Sequence, residues 1–254
     1  MPPPVHEHSR PDQAHLPQAY RIVEVRVENP TVRSFVLDGQ MEATPGQFVM
    51  AWLPGLDEKP FSLSGADPIM IAVARVGPFT TAMHALAAGD RLWLRGPLGQ
   101  GFLLCPGTLL LVGGGCGAAP LLYLAQVANQ AGRAVHVVLG ARTADGLFFQ
   151  DRFSGLGCAV HLATEDGSAG QKGTAIAAAA ALLGQGNPEV DTLYACGPEA
   201  MLDAVRQLAC AHHLPCQISY EAYMRCGIGV CGSCARNGWL VCRDGPVRLE
   251  DWKG

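Results

Sequence analysis

No run of apolar residues in this 254-residue chain approaches the ~20 that a bilayer-spanning helix needs; the longest, at 175–183, is about half that. Charge is scarce too. Asp, Glu, Lys and Arg make up 16% of the residues, the formal net charge is −4 and the basic residues are dispersed, so no surface is built to attract nucleic acid or an anionic membrane. The start, Met1-Pro-Pro-Pro-Val-His-Glu-His8, has neither the charged opening nor the apolar segment of a secretory signal, which predicts that the chain is not exported. The ten cysteines lack the regular pairing of a small secreted scaffold, so a soluble protein of the reducing cytoplasm is expected. No internal repeat is present. His6, His8 and His15 stand among prolines, and residues 1–17 read as a disordered tail rather than a metal site.

What is plentiful is apolar material, 49% of the chain, enough for two ordinary domains and an appendage. Between residues 18 and 106 short β-branched or alternating segments (20–27, 32–37, 47–53, 69–76 and 91–95) are separated by Asn29-Pro30, Pro45-Gly46, Pro54-Gly55 and Gly89-Asp90. This spacing predicts a small antiparallel β-barrel, with one helix over 80–88. From 107 to 215 strand and helix alternate: strands at 108–112, 134–139, 158–163 and 191–195, helices at 118–130, 174–183 and 198–211. Such a series implies a mostly parallel, Rossmann-like α/β sheet covered on both faces. Residues 216–254 form a small C-terminal domain around a cysteine loop.

That loop, Cys226-Gly-Ile-Gly-Val-Cys231-Gly-Ser-Cys234, is completed by Cys242. Four cysteines spaced x4, x2 and x7 leave too little backbone for a packed core but enough to wrap four thiolates around one inorganic centre. The first two gaps are those of a plant-type [2Fe–2S] loop. The intervening glycines let the backbone turn its N–H groups toward sulfur. Four thiolates also make a structural zinc site, although zinc usually takes two separated Cys-x2-4-Cys knuckles; zinc, disulfides and inert thiols remain as alternatives. The other cysteines are scattered and need no partner to be explained.

Two glycine-bearing turns follow predicted strands. Gly113-Gly114-Gly115-Cys116-Gly117 opens a helix, where free backbone N–H groups and the helix dipole suit a dinucleotide pyrophosphate; a merely tight turn is the competing reading. Cys196-Gly197-Pro198 lies at the carboxyl end of a later strand, where ligands of parallel sheets bind; taken alone, a helix start with a buried cysteine explains it better. In the barrel, Lys59-Pro60-Phe61-Ser62 offers a cation, a rigid ring and a hydroxyl.

Further segments complete a pattern: Arg75-Val-Gly-Pro-Phe-Thr-Thr81, Arg95-Gly-Pro-Leu-Gly-Gln-Gly-Phe102, Glu165-Asp-Gly-Ser168, and Met224-Arg-Cys226 leading through the loop to Val241-Cys-Arg-Asp-Gly-Pro246. In this order the chain, over about 20–252, resembles the ferredoxin reductase-like flavoproteins, most closely the electron-transfer subunits of two-subunit, NAD-linked dihydroorotate dehydrogenases. The resemblance implies that Lys59, Pro60, Phe61 and Ser62 line an FAD, that Val73, Ala74 and Arg75 lie along it, and that Thr80 and Thr81 approach its phosphates. It implies an NAD(H) site at Gly113, Gly114, Gly115, Gly117, Cys196, Gly197 and Pro198, and a [2Fe–2S] cluster on Cys226, Cys231, Cys234 and Cys242. It also implies a partner, the FMN-containing dihydroorotate-oxidising subunit, in a heterotetramer of two copies of each.

Lys59 stands where this family usually has arginine, and lysine lacks the bidentate fork. Gly77-Pro-Phe-Thr80 is shared with hydrogenase and sulfite-reductase subunits, so an NAD-linked flavoprotein subunit of one of those enzymes is the alternative function. A zinc-binding, non-catalytic nucleotide module is the second. Hydride carries two electrons and a [2Fe–2S] centre takes one, so a flavin is required between them; no residue need act as general acid or base. After Leu139 no acidic residue is placed for a ribose hydroxyl, and Arg142 would suit a 2′-phosphate, while the resemblance implies NADH. Glu165-Asp166 reads as a family motif or a solvated turn, and Glu221 as a neighbour of the cluster.

Overall fold

The computed structural model describes residues 16–186 and 189–250. His6, His8, His15 and nearly all of the expected tail fall outside these residues, as does Trp252.

Six strands form a closed antiparallel barrel: β1 (Gln18–Val27), β2 (Val32–Leu37), β3 (Phe48–Leu53), β4 (Asp57–Ala66), β5 (Ile69–Ala74) and β6 (Arg91–Leu98), in the order β1-β2-β5-β4-β3-β6, with β6 closing on β1. Alternate side chains point inward, so Ile22, Phe35, Leu37, Val49, Leu63, Ile71, Val73, Leu92 and Leu94 make one core. Helix α1 (Pro78–His84) contributes Phe79 and Met83 to it. α1 starts two residues before the expected helix, because Gly77 and Pro78 supply the N-cap and a pre-set first turn. Strand β4 is not among the segments expected from sequence, since Lys59 and Pro60 argue against a strand. The barrel accommodates them because residues 57–62 pair only with β3; pairing with β5 begins at Leu63. Proline is tolerated on such an open edge.

The second half is a seven-stranded sheet. Its elements are β7 (Leu109–Gly114), α2 (Ala118–Gln130), β8 (Val135–Ala141), α3 (Gln150–Gly155), β9 (Ala159–Thr164), β10 (Gln171–Lys172), α4 (Ala175–Gly184), β11 (Thr192–Cys196), α5 (Glu199–Ala211) and β12 (Cys216–Ser219). The cysteine segment adds a hairpin, β13 (Ala235–Arg236) with β14 (Trp239–Leu240), then α6 (Val241–Asp244) and β15 (Val247–Glu250). The sheet order is β10-β9-β8-β7-β11-β12-β15; every pairing is parallel except β12 with β15. Thr108-Leu-Leu-Leu-Val reads as an unbroken apolar run because β7 is central and buried throughout.

Helices α2 and α3 cover one face of the sheet together with Val36, Met70 and Phe102 of the barrel half, and α4 and α5 cover the other. The second core continues into Phe48, Met50 and Leu98 of the barrel and into Tyr220, Met224, Cys234, Val241 and Cys242. The cysteine segment is therefore wedged between barrel and sheet, and the strands at its two ends, β12 and β15, belong to that sheet. Buried Gln217 adds a clamp, since its amide accepts from Leu103 N–H (2.8 Å) and donates to Leu103 carbonyl (2.7 Å).

Arg152 on α3 reaches Glu28, just past β1, at 2.6 Å, with side chains 22% and 10% exposed. Glu28→Ala strands a largely covered guanidinium and is expected to cost about 2 kcal/mol, read as a lower denaturant midpoint. Breaking the exposed Arg206–Asp203 pair on α5 should cost under ~0.5 kcal/mol. Equal effects would show that the first pair does not join the two halves. Among the described residues no helix is long and apolar enough to cross a membrane.

Candidate functional site

A cleft of about 350 Å³ opens where the barrel, the sheet and the cysteine segment meet, within the size range of small-molecule sites. Pro60, Phe61 and Ser62 line it from the open edge of β4, and Ala72 and Ala74 from β5. Thr80 lines it from α1, Cys116 from the glycine turn, Cys196 from the end of β11, and Tyr220, Glu221, Ala222 and Met224 from the chain entering the cysteine loop. Motifs up to about 160 residues apart in sequence thus share one wall system.

Four of the barrel candidates stand differently. Val73 is fully buried in the barrel interior, because successive residues of a strand face opposite sides; Ala72 and Ala74 take the cleft face. Lys59, Arg75 and Thr81 do not line the cleft. Lys59 Nζ lies 2.5 Å from Asp57 and 6.0 Å from the Tyr223 ring centroid. Arg75 and Thr81 are exposed, and their backbone N–H groups donate to Thr31 and Gly77 carbonyls. The Thr80 hydroxyl accepts from Val76 and Gly77 N–H at 2.9 and 3.0 Å, fixing the start of α1 beside the cleft. Phe61 stacks on Phe79 at 6.3 Å. Ala72, Ser219 and Met224 were not among the sequence candidates for the cleft; strand alternation singles out Ala72, Met224 opens the cysteine-loop motif, and nothing local marks Ser219.

The two glycine turns are packed on each other. A Cβ on Gly117 would collide with the Cys196 carbonyl, one on Gly114 would meet Met201 Sδ at 2.7 Å and Pro198 Cδ at 3.0 Å, and one on Gly197 would meet Gly114 Cα at 3.1 Å. Gly113 lies between Leu121 and Leu139. Gly115 is left-handed (φ +52°) and faces open space at the start of α2, whose first turn carries no acidic residue. These features fit an anionic dinucleotide: a left-handed glycine with nothing over it and a helix start with no acidic side chain in its first turn. Burial, reinforced by the Glu221 carboxylate, pushes the Cys196 thiol up to about 12. Cys116 opens onto the cleft, yet surrounding protein and Glu221 push it up as well. Both stay neutral thiols near pH 7, so the cleft offers no thiolate nucleophile. Glu165-Asp166 lies outside the cleft; Asp166 accepts from Ser168 N–H (2.9 Å) and hydroxyl (2.6 Å), which is the solvated-turn role.

In the cysteine loop backbone N–H groups approach the sulfurs: Val230 (3.3 Å) and Cys231 (3.4 Å) to Cys226, Gly229 (3.2 Å) to Cys242, and Cys242 (3.5 Å) to Cys234. Gly229 makes this possible with a φ of +79°. Cys234 and Cys242 are buried with their sulfurs 3.3 Å apart; the side chains of Cys226 and Cys231 are hydrogen-bonded neighbours nearer the surface. The sulfurs fall into two pairs, and among the described residues no three His, Cys, Asp or Glu side chains gather to hold a single metal ion. Hydrogen bonds from the Ser233 side chain and backbone and from Cys226 pull Cys231 down to about 6. Desolvation pushes Cys226 up, but N–H bonds from Cys231, Ile228 and Val230 outweigh it and hold the thiol below its usual value. Burial and the bond with Cys234 push Cys242 up to about 12, so a metal there must displace a proton. Two thiol pairs amid N–H donors fit a two-iron cluster. The hairpin carrying Arg236 is tied to Glu199, just after Pro198, at 2.5 Å.

Residues 221–249, which contain all four loop cysteines, match the model of the iron-sulfur cluster binding domain of dihydroorotate dehydrogenase B, and 111–207 match the oxidoreductase NAD-binding domain. A protein of Thermococcus kodakarensis named "probable dihydroorotate dehydrogenase B (NAD(+)), electron transfer subunit" is 48% identical over 231 residues, 90% of this chain and 95% of the relative. A protein of the same name from Methanocaldococcus jannaschii is 42% identical over 92% of this chain and 90% of its own length. Among solved structures, a chain reported with the NADH-dependent reduced ferredoxin-NADP oxidoreductase, in a study of flavin-based electron bifurcation, superposes with a TM-score of 0.81. It is 30% identical and covers 91% of this chain and 87% of its own. The ferredoxin reductase of carbazole 1,9a-dioxygenase shares the fold, with a TM-score of 0.67 at 22% identity over 79% of this chain and 67% of its own. With the barrel, the parallel sheet, the paired thiols and these relatives in agreement, the chain belongs to the family of dihydroorotate dehydrogenase B (NAD(+)) electron transfer subunits.

Proposed function

We propose that this chain moves electrons between NAD(H), FAD and a [2Fe–2S] cluster, to or from the FMN-containing, dihydroorotate-oxidising subunit of pyrimidine biosynthesis, in a heterotetramer of two copies of each. The observation that carries this reading is the single cleft shared by the β4 motif, both glycine turns and the chain leading to Cys226. When bound, the nicotinamide supplies electrons as hydride, the flavin accepts them in pairs and releases them singly, and the cluster carries them one at a time.

The chain's own residues do the aligning. Pro60, Phe61, Ser62, Ala72 and Ala74 would hold the flavin ring against the barrel, with Thr80 fixing the edge of the pocket. Gly113, Gly114, Gly115 and Gly117, with the start of α2, would bind the pyrophosphate. Cys196, Gly197 and Pro198 would border the nicotinamide, where a protonated thiol presents no charge to repel or attack it. Lys59, Arg75 and Thr81 would serve the outer parts of the FAD, and Val73 would act only through its backbone. Cys226, Cys231, Cys234 and Cys242 would ligate the cluster. Met224 lines the cleft two residues before Cys226, so the chain that would hold the cluster begins at the wall of the cleft that would hold the flavin. All ten cysteines are free of disulfides, which supports a place in the cytoplasm.

Co-expression with a dihydroorotate-oxidising flavoprotein tests the proposal. The expected result is a stable brown complex in which NADH bleaches flavin and cluster absorption, and in which dihydroorotate reduces the same centres. The likeness to the NADH-dependent ferredoxin-NADP oxidoreductase chain supports the same wiring with another terminus. A complex that forms only with a different partner, and never responds to dihydroorotate, would establish that reading instead.

A further inference from the structure

Arg95 belongs to the segment 95–102 and is not used by the cleft. Its residue is 8% exposed, and its guanidinium grips Glu58 with two bonds, Nε to Oε1 at 2.9 Å and Nη2 to Oε2 at 2.7 Å. The same Nη2 donates to the backbone carbonyl of Cys226 at 2.8 Å, across 131 residues of sequence. Met50, which faces Arg95 across the β3–β6 pairing, packs under Gly227, where an added Cβ would meet Met50 Cγ and Leu98 Cδ1 at 3.0 Å each. The beginning of the cysteine loop is thus laid on one patch of barrel and fastened there by one buried cation.

Other cations near the loop are placed differently. Arg225 is exposed, and Arg243 is 61% exposed and bonded to Asp244. Solvent and salt screen such charges, whereas a covered guanidinium keeps its field. Glu58 and the Cys226 carbonyl share Arg95 Nη2, and it is the guanidinium that contacts Cys226.

We propose that Arg95 is a positioning residue for the iron–sulfur loop: through the Cys226 carbonyl it fixes the first ligand against the barrel, and its charge, partly offset by Glu58 on the same nitrogen, raises the reduction potential of the centre. This rests on the cluster assignment made above. Two effects with separate signatures follow. Loss of the brace exposes the loop, and loss of the positive charge disfavours the more negative, reduced centre.

The test uses the full chain in complex with its partner, comparing wild type with Arg95→Lys, Glu58→Gln and the double variant Glu58→Leu/Arg95→Leu. The double variant leaves neither charge buried alone. FAD content and NADH reduction of the flavin report on folding of the barrel. Iron and acid-labile sulfide, the rate of bleaching by an iron chelator, and the cluster midpoint from an EPR-monitored titration report on the inference. Removing a charged hydrogen bond of this kind should speed bleaching about ten-fold in the double variant, with a midpoint below wild type. Glu58→Gln keeps the bond and frees the charge, so its midpoint should rise. Arg95→Lys keeps the charge, and should hold the midpoint near wild type while bleaching faster. Opposite shifts in Glu58→Gln and the double variant are a result that a merely structural role would not produce. Wild-type bleaching and midpoint in all three variants would overturn the inference; should the double variant fail to fold, unchanged values in the two single variants would do so. Wild-type protein with zinc and no labile sulfide would instead overturn the cluster assignment itself.

Discussion

Replacing Cys242 with serine is expected to remove the iron–sulfur centre while leaving the flavin in place. Cys242 is 2% exposed, its sulfur lies 3.3 Å from that of Cys234, and it accepts the Gly229 N–H. No other thiol is placed to take its part, and a serine oxygen is shorter and far less willing to ionise. Changing only the hydrogen-bonded neighbours of metal ligands typically costs about 10–100-fold in affinity, so loss of a ligand from the buried pair should exceed that range. Acid-labile sulfide and the brown absorption should disappear, NADH should still bleach the remaining yellow chromophore, and electron delivery to the partner should fall by more than about a hundred-fold. Cys210→Ser, on the exposed side of α5, should keep the full sulfide content. Retention of labile sulfide in Cys242→Ser would remove this residue from the ligand set.

The second large effect belongs to Gly117→Ala. One methyl at this position drives into the carbonyl of Cys196, which is backbone and cannot rotate away. Relief requires α2 to move off β11, separating the turn that would hold the pyrophosphate from the turn that would border the nicotinamide. Overpacking of this kind costs about 1–3 kcal/mol of stability, and a misplacement of about 1 Å between reacting groups can cost about 10²-fold in rate. NADH reduction of the flavin should therefore lose about two orders of magnitude in kcat/KM, with FAD and sulfide contents unchanged. A variant that binds NADH and reduces its flavin as the wild type does would show that contact between the turns is irrelevant to the site.

Legibility of this molecule varied with the length scale of the signal. The cysteine loop was readable because its chemistry is local: x4 and x2 spacing and intervening glycines are enough to turn N–H groups toward sulfur, and the structure has those bonds. The central strands were readable because β7 is buried on both faces and so is apolar throughout. Strand β4 was not, since proline and charge argue against a strand until it is known that residues 57–62 have an open edge. Choosing 73–75 as a contiguous run overlooked the two-residue period that turns Val73 into the barrel and brings Ala72 to the cleft. The pairing of Arg95 with Cys226 spans 131 residues and has no local trace.

By itself the sequence determined the cysteine loop, the barrel followed by a parallel sheet, and the kind of cofactors these serve, because each is written in local spacing and local pattern. Only the tertiary structure decided that the cysteine segment is wedged between barrel and sheet, that the two glycine turns touch through Gly117 and Cys196, and which side chains reach the shared cleft. Those outcomes depend on which faces of separate elements are buried together. Packing between distant segments selects that arrangement, and no short stretch of chain encodes it.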